Sequence, residues 1–345
     1  MIAVTTIADV GEFGLIRLIR ERLVSAGVTG AGANLVLGAG DDAAVVSAPD
    51  GRVVATTDLL LEGRHFRRDW SPPRDIGHKA AARNLADVAA MGARPTALLL
   101  GFAAPGELDL AWVAELIGGL VAECAGTGAV VAGGDTSSFP SIMLAITALG
   151  DLAGRPPVTR SGAREGDVVA LAGTLGAAAA GLELLAAGPE DRRQADRDGD
   201  PDAAAARLVA AHRRPAPPYE AGPRASIAGA TSMIDISDGL IADLGHVADE
   251  SHVRIEIVTA DLFCHPGVIT TDLAAAAASL HRDGWADWVL TGGEDHALAA
   301  TFPPGAAMPT GWHVIGGVAR GSGVRVDGER WPGPGGWDHF GSDRC

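Results

Sequence analysis

Apolar residues recur along the first 150 positions at two spacings, one typical of helices and the other of buried strands. Between Glu12 and Leu23 they lie three or four positions apart, which predicts an amphipathic helix. Short apolar runs bounded by Gly, Pro or Asp instead predict strands. By these criteria the predicted helices are Glu12–Leu23, Asp75–Met91 and Leu110–Cys124, and the predicted strands are Val53–Thr57, Thr96–Phe102, Ala129–Ala132 and Ser141–Leu149.

The alternation of helices and strands continues after Arg155-Pro156-Pro157, a tripeptide typical of a junction between domains. Beyond it, strands are predicted at Asp167–Ala172 and Thr231–Ile236, helices at Gly176–Ala187, Ala203–His212 and Leu240–Glu250, and a loop at Gly188–Asp202. The tail, rich in Gly, Pro and Trp, is expected to be ordered by packing rather than by regular elements. The pattern predicts an α/β fold with two domains, residues 1–150 and 151–345.

Composition narrows the functional class. Hydrophobic residues make up 47% and charged residues 20% of the 345 positions, which is typical of a packed globular protein. The formal net charge is −16, from 43 acidic and 27 basic residues, and no Lys/Arg-rich run provides the basic patch of a nucleic-acid-binding protein. No apolar run reaches the roughly 18 residues that a membrane span needs. Neither nucleic acid nor a membrane is therefore expected as a partner.

The cysteines favour a reducing compartment. Cys124, Cys264 and Cys345 are too far apart in sequence for a zinc motif or a disulfide framework. The N-terminus also lacks a basic segment followed by an apolar one, so no signal peptide is expected. Both observations predict a cytoplasmic protein.

Acidic residues concentrate near the predicted strand ends, beside Gly, Ser or Thr. The segments are Gly40-Asp41-Asp42, Thr56-Thr57-Asp58, Asn84-Leu85-Ala86-Asp87, Gly133-Gly134-Asp135-Thr136, Asp235-Ile236-Ser237-Asp238-Gly239 and Gly293-Glu294-Asp295. Mg²⁺ prefers hard oxygen ligands, commonly carboxylates together with water and substrate phosphates. Each segment alone has a simpler explanation, because Asp is also common in turns and at helix N-termini. Together they predict a site that holds several Mg²⁺ ions for phosphoryl transfer.

Familiar nucleotide-binding motifs are absent from the sequence, including the Walker A loop, the dinucleotide fingerprint and the protein-kinase motifs. His65 is a candidate for a loop contact to a substrate, Arg160 for a bidentate phosphate clamp and Trp337 for a stacking surface. Each has a structural alternative, namely a loop histidine, a surface arginine and a core tryptophan.

Taken in order, these segments resemble the thiamine-monophosphate kinases, which belong to the superfamily of aminoimidazole ribonucleotide synthetase and selenophosphate synthetase. The matching segments are Gly11–Phe13, Gly40–Ala43, Thr57-Asp58 with Gly63–Phe66, Asn84–Ala93, Gly133–Thr136, Arg160–Ala163, Asp235–Gly245, Gly292–Asp295 and Gly336–Phe340. The resemblance therefore covers nearly the whole chain, and its specificity lies in the combination.

The resemblance implies that ATP phosphorylates thiamine monophosphate to thiamine diphosphate. It also implies a two-domain α/β fold similar to aminoimidazole ribonucleotide synthetase, with the N-terminal sheet forming the interface of a homodimer. The implied magnesium ligands are Asp42, Thr56, Thr57, Asp58, Asp87, Asp135, Asp235 and Asp238. The implied nucleotide contacts are Gly134, Asp135, Arg160 and Ser237, and the implied contacts to thiamine monophosphate are His65, Glu294 and Trp337.

No residue is assigned as a general base. A phosphate monoester has a second pKa of about 6, so the acceptor is already a charged nucleophile near neutral pH. Repulsion between two polyanions is the remaining obstacle, and several Mg²⁺ ions between them would remove it. This explains many aspartates in a chain whose only lysine is Lys79.

Two other functions stay open at this point. A superfamily relative acting on another small molecule would share most segments, although a selenophosphate synthetase would need a reactive Cys closely followed by Lys near the N-terminus, which this sequence lacks. A non-catalytic acidic protein would bind divalent ions without ATP turnover. The chain also departs from the family pattern at Ala86, Ser137-Ser138 and His296, where Ser, Thr-Arg and Tyr are usual, and these departures concern residues around the metal candidates.

Overall fold

The computed structural model of the protein describes residues 5–27, 35–38, 43–191 and 201–337. The chain divides into two compact units, Met1–Val88 with Ala93–Arg155, and Ala89–Gly92 with Pro156–Cys345. The elements up to Asp151 are α1 Ile7–Ser25, β1 Leu35–Leu37, β2 Val45–Val46, β3 Val54–Leu61, α2 Pro73–Ala90, β4 Arg94–Ala104, α3 Leu110–Thr127, β5 Val130–Ser138 and β6 Met143–Asp151. Those beyond it are β7 Val168–Ala172, α4 Ala177–Asp191, α5 Pro201–Arg213, α6 Ala221–Ile227, β8 Ser232–Ile236, α7 Leu240–Ser251, β9 Arg254–Ile257, α8 Thr259–Phe263, α9 Asp272–Ser279, α10 Ala286–Thr291, β10 Ala297–Phe302, β11 Trp312–Ala319, β12 Gly323–Val326 and β13 Glu329–Arg330.

A four-stranded sheet in the order β3-β6-β4-β5 forms the centre of the described first unit. β6 pairs antiparallel with β3 and β4, whereas β5 pairs with β4 in parallel. Successive residues of β6 alternate between buried and half-exposed, so one face of the sheet is covered and the other is more open. α2 lies over the covered face, where its side chains hydrogen-bond with β3.

α2 and α3 pack closely in the first unit. Glycines allow this, since Gly77 of α2 faces the backbone of Leu116 and Gly119 of α3 faces the backbone of Arg74. Among the described helices, α3 alone is long and apolar enough to cross a membrane. It contains no unbroken apolar run of that length, because two glutamates interrupt it. Leu116 and Leu120 of α3 are buried in the protein, as expected for a core helix.

The opposite face of the first sheet is half-open. Strand register places Leu59 of β3, Ala145 of β6, Gly101 of β4 and Asp135 of β5 side by side on this face. The hairpin β1–β2 covers a neighbouring part of the sheet through the buried Leu35. Leu59 keeps 51% of its surface exposed, so an apolar area remains accessible there.

In the described second unit, seven strands form a sheet in the order β13-β12-β9-β11-β7-β10-β8. Neighbouring strands are antiparallel except β12 and β9, which are parallel. Helices cover both faces of this sheet. Ala299 of β10 belongs to a cluster with α4, α5, α7 and α9, whereas the adjacent Leu298 belongs to a cluster with α6. Strands buried on both sides have nearly continuous apolar sequences without alternation.

Two sequence predictions about regular elements are wrong. The loop expected at Gly188–Asp202 overlaps two helices, because α4 continues to Asp191 and α5 begins at Pro201; residues 192–200 lie outside the described part. The tail expected to lack regular elements contains β10 to β13. β10 shows no alternation of apolar and polar residues, because all six of its residues are buried.

Candidate functional site

In the first unit, β3 and α2 bring three candidate metal ligands together. Thr56 Oγ1 donates a hydrogen bond to Asp87 Oδ2 at 2.8 Å. The backbone amide of Asp58 donates to Asn84 Oδ1 at 3.1 Å, and Arg83 Nε lies 3.9 Å from Asp58 Oδ2. Asn84 and Arg83 had not been assigned to the site, although Asn84 stands three positions before Asp87 in the same segment.

Two further candidates of the first unit, Thr57 and Asp135, lie on the half-open face of the sheet. β3 extends to Leu61 and β5 to Ser138, so Asp58 and Asp135 lie within strands rather than at the strand ends. Thr57 and Asp135 both point away from α2, because side chains alternate along each strand and the register is uninterrupted from Leu99 to Ala103 of β4, which connects the two residues. The Thr57 hydroxyl donates to the Ile146 carbonyl at 3.0 Å, and Gly134 pairs with Leu100.

The oxygen atoms of Thr56 and Asp87 fit the ligand preferences of Mg²⁺. Both are hard oxygen donors, and in the structure a hydrogen bond of ordinary length, 2.8 Å, joins the Thr56 hydroxyl to the Asp87 carboxylate. Asp42 lies outside the described residues, and within those residues no three His, Cys, Asp or Glu side chains are close enough to form a metal site.

In the second unit, one turn brings together residues that are up to about 100 positions apart in sequence. The turn from Ser237 to Gly239 connects β8 to α7. The amide of Glu294 donates to the Ser237 carbonyl at 2.8 Å, and the amide of Trp337 donates to the Asp238 carbonyl at 2.9 Å. Ser237, Asp238, Glu294 and Trp337 therefore meet at the beginning of α7, and Trp337 keeps 45% of its surface exposed. Arg160, the other implied nucleotide contact of this unit, lies instead near the end of α7, where its carbonyl accepts a hydrogen bond from Ser251.

Asp243 stabilises this turn from within α7. Its Oδ2 atom accepts hydrogen bonds from the amides of Ser237, Asp238 and Gly239 at 3.0, 3.1 and 3.0 Å. Burial raises the pKa of Asp243 to about 7, aided by the nearby charges of Asp235 and Asp238, while the amide hydrogen bonds lower it. The carboxyl groups of Asp235, Asp238 and Asp243 therefore lie near one another, although within the described residues they do not form a three-ligand metal site. Sequence reasoning missed Asp243, although an acidic residue in the first turn of a helix is a recognisable signal.

Asp235, on β8, is buried beside His296. His296 Nδ1 lies 3.1 Å from Asp235 Oδ2, and both side chains are more than nine-tenths buried. The amide of His296 also donates to the Ile236 carbonyl at 2.9 Å. His296, which departs from the family pattern, is therefore the hydrogen-bond partner of a candidate metal ligand.

The remaining candidates occupy loops. The amide of Leu61 donates to His65 Nδ1 at 3.0 Å, which leaves the proton of the neutral ring on Nε2. Arg160 is exposed in the loop 159–163, whose first carbonyl, from Thr159, accepts a hydrogen bond from the Met233 amide at 3.2 Å.

Asp295, next to Glu294, caps helix α4 from a distant part of the chain. Its carboxylate accepts hydrogen bonds from the amides of Gly176 at 2.6 Å and Ala178 at 2.8 Å. Burial raises the pKa of Asp295 to about 7, although these two amides lower it. The loop that carries Glu294 is thus attached to α4 through a carboxyl group whose ionisation depends on folding.

The Asp295→Asn variant should have a different dependence of stability on pH. The pKa of about 7 in the folded protein exceeds the ordinary aspartate value of 3.8, so the stabilisation from this group is complete below about pH 4 and is lost as the pH rises through 7. The difference in free energy of unfolding, wild type minus Asp295→Asn, should therefore fall between these pH values when measured by denaturant titration. A difference that does not change with pH would contradict this. Asp327→Asn is the control, because hydrogen bonds from Thr259 lower the pKa of Asp327. The free energy of unfolding of the wild type minus that of Asp327→Asn should therefore stay constant above pH 4.

Comparison with known proteins adds to this geometry. Residues 40–152 match the family described as AIR synthase related protein, N-terminal domain. The chain is 46% identical to the thiamine-monophosphate kinase of Mycobacterium tuberculosis, over 97% of this chain and 93% of that protein. Its structure is similar to that of thiamine-monophosphate kinase from Stenotrophomonas maltophilia K279a, with a TM-score of 0.73, 31% identity and coverage of 93% of this chain and 98% of the other.

A second solved structure, described as AaThiL complexed with AMPPCP and TMP, has a TM-score of 0.74 and 31% identity, covering 99% of this chain and all of the other. The similarity therefore includes both units, and it confirms the predicted α/β fold of the aminoimidazole ribonucleotide synthetase type. On the strength of its sequence identity over almost the full length, the chain belongs to the thiamine-monophosphate kinase family.

Proposed function

We propose that this protein transfers the γ-phosphoryl group of ATP directly to the phosphate of thiamine monophosphate, giving ADP and thiamine diphosphate. The observation that carries the proposal is 46% identity to a thiamine-monophosphate kinase over 97% of this chain. The similarity to a solved relative complexed with AMPPCP and TMP supports the same pair of substrates. The acidic composition, with one lysine, agrees with charge neutralisation by metal ions rather than by basic side chains.

Magnesium is the proposed cofactor. The residues that would hold it are Asp42, Thr56, Thr57, Asp58, Asp87, Asp135, Asp235 and Asp238. When bound, Mg²⁺ neutralises and orients phosphate oxygens, which is the chief requirement of phosphoryl transfer. The oxygen-only donor pair of Thr56 and Asp87 supports this choice over zinc, which is typically bound by His and Cys.

The protein's own task is to hold two anionic substrates in line. The acceptor phosphate needs no general base near neutral pH, because most of it is already doubly ionised. For the nucleotide, the proposed contacts are Gly134, Asp135, Arg160 and Ser237. The guanidinium group of Arg160 is permanently charged and can bind two phosphate oxygens. Direct transfer between substrates then requires orientation and exclusion of water rather than a covalent intermediate.

His65, Glu294 and Trp337 are the proposed contacts to thiamine monophosphate. The Nε2–H of His65 is a hydrogen-bond donor, since its Nδ1 accepts from Leu61. Glu294 would face the cationic thiazolium or the aminopyrimidine, and Trp337 offers an exposed ring on which a heteroaromatic ring can stack. The hydrogen bonds of Glu294 and Trp337 to the Ser237–Gly239 turn support a shared role.

A homodimer in the cytoplasm is the remaining part of the proposal. Leu59, Ala145 and Gly101 form an apolar row on the half-open face of the first sheet, and Leu59, exposed by 51%, would be covered by pairing with a second copy. Free thiols at Cys124 and Cys264 agree with a reducing compartment. A single-chain mass in solution would contradict the dimer.

A coupled assay of ADP release tests the activity. We expect rapid release with ATP, Mg²⁺ and thiamine monophosphate, and only slow release when either Mg²⁺ or thiamine monophosphate is omitted, because the acceptor phosphate completes the reacting geometry. Thiamine serves as the matched control, since it has the same rings without the phosphate. Equal stimulation by thiamine, or stimulation only by a purine-pathway acceptor, would contradict the proposal. Metal binding without any turnover would favour the non-catalytic alternative.

A further inference from the structure

The exposed side chain of Arg160 depends on its backbone for orientation. A long, solvated arginine samples many rotamers, so its contribution to binding falls unless the loop that carries it is fixed. The loop 159–163 contains Thr159-Arg160-Ser161-Gly162-Ala163 and leads to strand β7. Which groups fix this loop therefore bears directly on how Arg160 can bind a phosphate.

Ser251, the last residue of α7, spans the loop with one hydroxyl group. Its Oγ atom donates to the Arg160 carbonyl at 2.7 Å. The same atom accepts from the Ala163 amide at 3.1 Å. The Ser251 side chain thus joins the backbone on both sides of Ser161 to the end of α7, although Ser251 is about 90 positions away from the loop in sequence.

The opposite side of the loop lies against β8. A Cβ atom on Gly162 would lie only 1.8 Å from the Thr231 carbonyl oxygen, so the loop backbone directly contacts the residue that precedes β8. The Met233 amide holds the beginning of the loop through its bond to the Thr159 carbonyl. Between these contacts, the carbonyl of Arg160 is held by the Ser251 hydroxyl.

We propose that Ser251 is a positioning residue for ATP: its hydroxyl fixes the backbone of loop 159–163 and thereby aims the Arg160 guanidinium at the nucleotide. The inference rests on the proposed function, in which Arg160 contacts ATP. Ser251 does not touch the nucleotide in this proposal. It should therefore affect the affinity for ATP more than the rate of the chemical step.

The Ser251→Ala variant tests this. Removal of both hydrogen bonds should raise the KM for ATP, and the dissociation constant of AMPPCP with Mg²⁺, about 3- to 10-fold. The kcat and the KM for thiamine monophosphate should stay within about twofold of wild type, because Ser251 acts only through the loop. Ser251→Thr keeps the hydroxyl and should restore the ATP affinity.

Ser279→Ala is the matched control. Ser279 also ends a helix in the second unit, but its hydroxyl donates to the Ala276 carbonyl of its own helix at 2.8 Å. It should leave the ATP affinity unchanged. A loss of thermal stability in Ser251→Ala with an unchanged affinity for AMPPCP would show a purely structural role and overturn the inference.

A double mutant separates this inference from the proposed function. If Ser251 acts through Arg160, Ser251→Ala should weaken AMPPCP binding in the wild type but not in an Arg160→Ala background. Additive effects would overturn the inference and leave the kinase activity standing. An unchanged affinity of Arg160→Ala for AMPPCP would also overturn the inference about Ser251. Absence of turnover in the wild type with ATP, Mg²⁺ and thiamine monophosphate would instead contradict the proposed function.

Discussion

The Asp58→Asn variant should lose nearly all kinase activity while keeping its fold. Asp58 lies within β3, with its amide bonded to Asn84 and its carboxylate 3.9 Å from Arg83. Asparagine has almost the same shape but no charge, so it cannot neutralise a divalent cation. Because a metal contributes several kcal/mol to phosphoryl transfer, kcat/KM for thiamine monophosphate should fall at least about 100-fold.

The measurement compares Asp58→Asn with Asp69→Asn. Asp69 is an exposed aspartate of the same unit, paired with Arg67 at 2.6 Å on the surface, where an ion pair contributes little. We expect Asp69→Asn to have wild-type activity and both variants to unfold at nearly the wild-type temperature. Higher Mg²⁺ concentrations should recover part of the activity of Asp58→Asn. Full activity of that variant at low Mg²⁺ would show that Asp58 is not a metal ligand.

The Gly119→Ala variant should be the most strongly destabilised of the variants discussed. A Cβ atom on Gly119 would lie 1.8 Å from the carbonyl oxygen of Arg74, and backbone cannot move aside as a side chain can. Relief of the clash requires α2 and α3 to separate, which should lower the free energy of unfolding by about 3 kcal/mol, the upper end of the usual cost of overpacking. Because α2 also carries Asn84 and Asp87, activity at moderate temperature should fall as well.

Gly126→Ala, in the same helix, is the matched control. A Cβ atom on Gly126 would have no neighbour within 4 Å, so the added methyl group meets empty space. Alanine favours a helix over glycine by up to about 1 kcal/mol, and this variant should therefore be slightly more stable than wild type. Denaturant unfolding of both variants measures the difference. Equal stability of the two would show that α2 and α3 can adjust without cost.

Hydrophobic spacing predicted much of the first unit. Glu12–Leu23 corresponds to the main part of α1, which is broken at Gly11, and Leu110–Cys124 corresponds to α3. These helices have one buried face, so their apolar residues recur at helical spacing. The family resemblance, which rested on short segments near glycines and aspartates, was confirmed by 46% identity to a relative over 97% of the chain. The assignment of individual metal ligands stays a prediction for Asp58 and Asp135 alike.

Strand ends were harder to predict than helices. The sequence placed Asp58 and Asp135 at or beyond strand ends, whereas β3 continues to Leu61 and β5 to Ser138. Polar residues normally indicate the end of a strand. Here neighbouring strands continue the backbone hydrogen bonds past them.

What the sequence by itself determined is the set of chemical groups, the helices with one buried face and the family to which the chain belongs. Only the tertiary structure brought Glu294 and Trp337 to the turn at Ser237, and Ser251 to the loop of Arg160. Each of these contacts ends on a backbone carbonyl up to about 100 positions away, and backbone carbonyls are the same in every residue. Their pairing depends on strand register and helix packing over the whole unit, which no local pattern of side chains encodes.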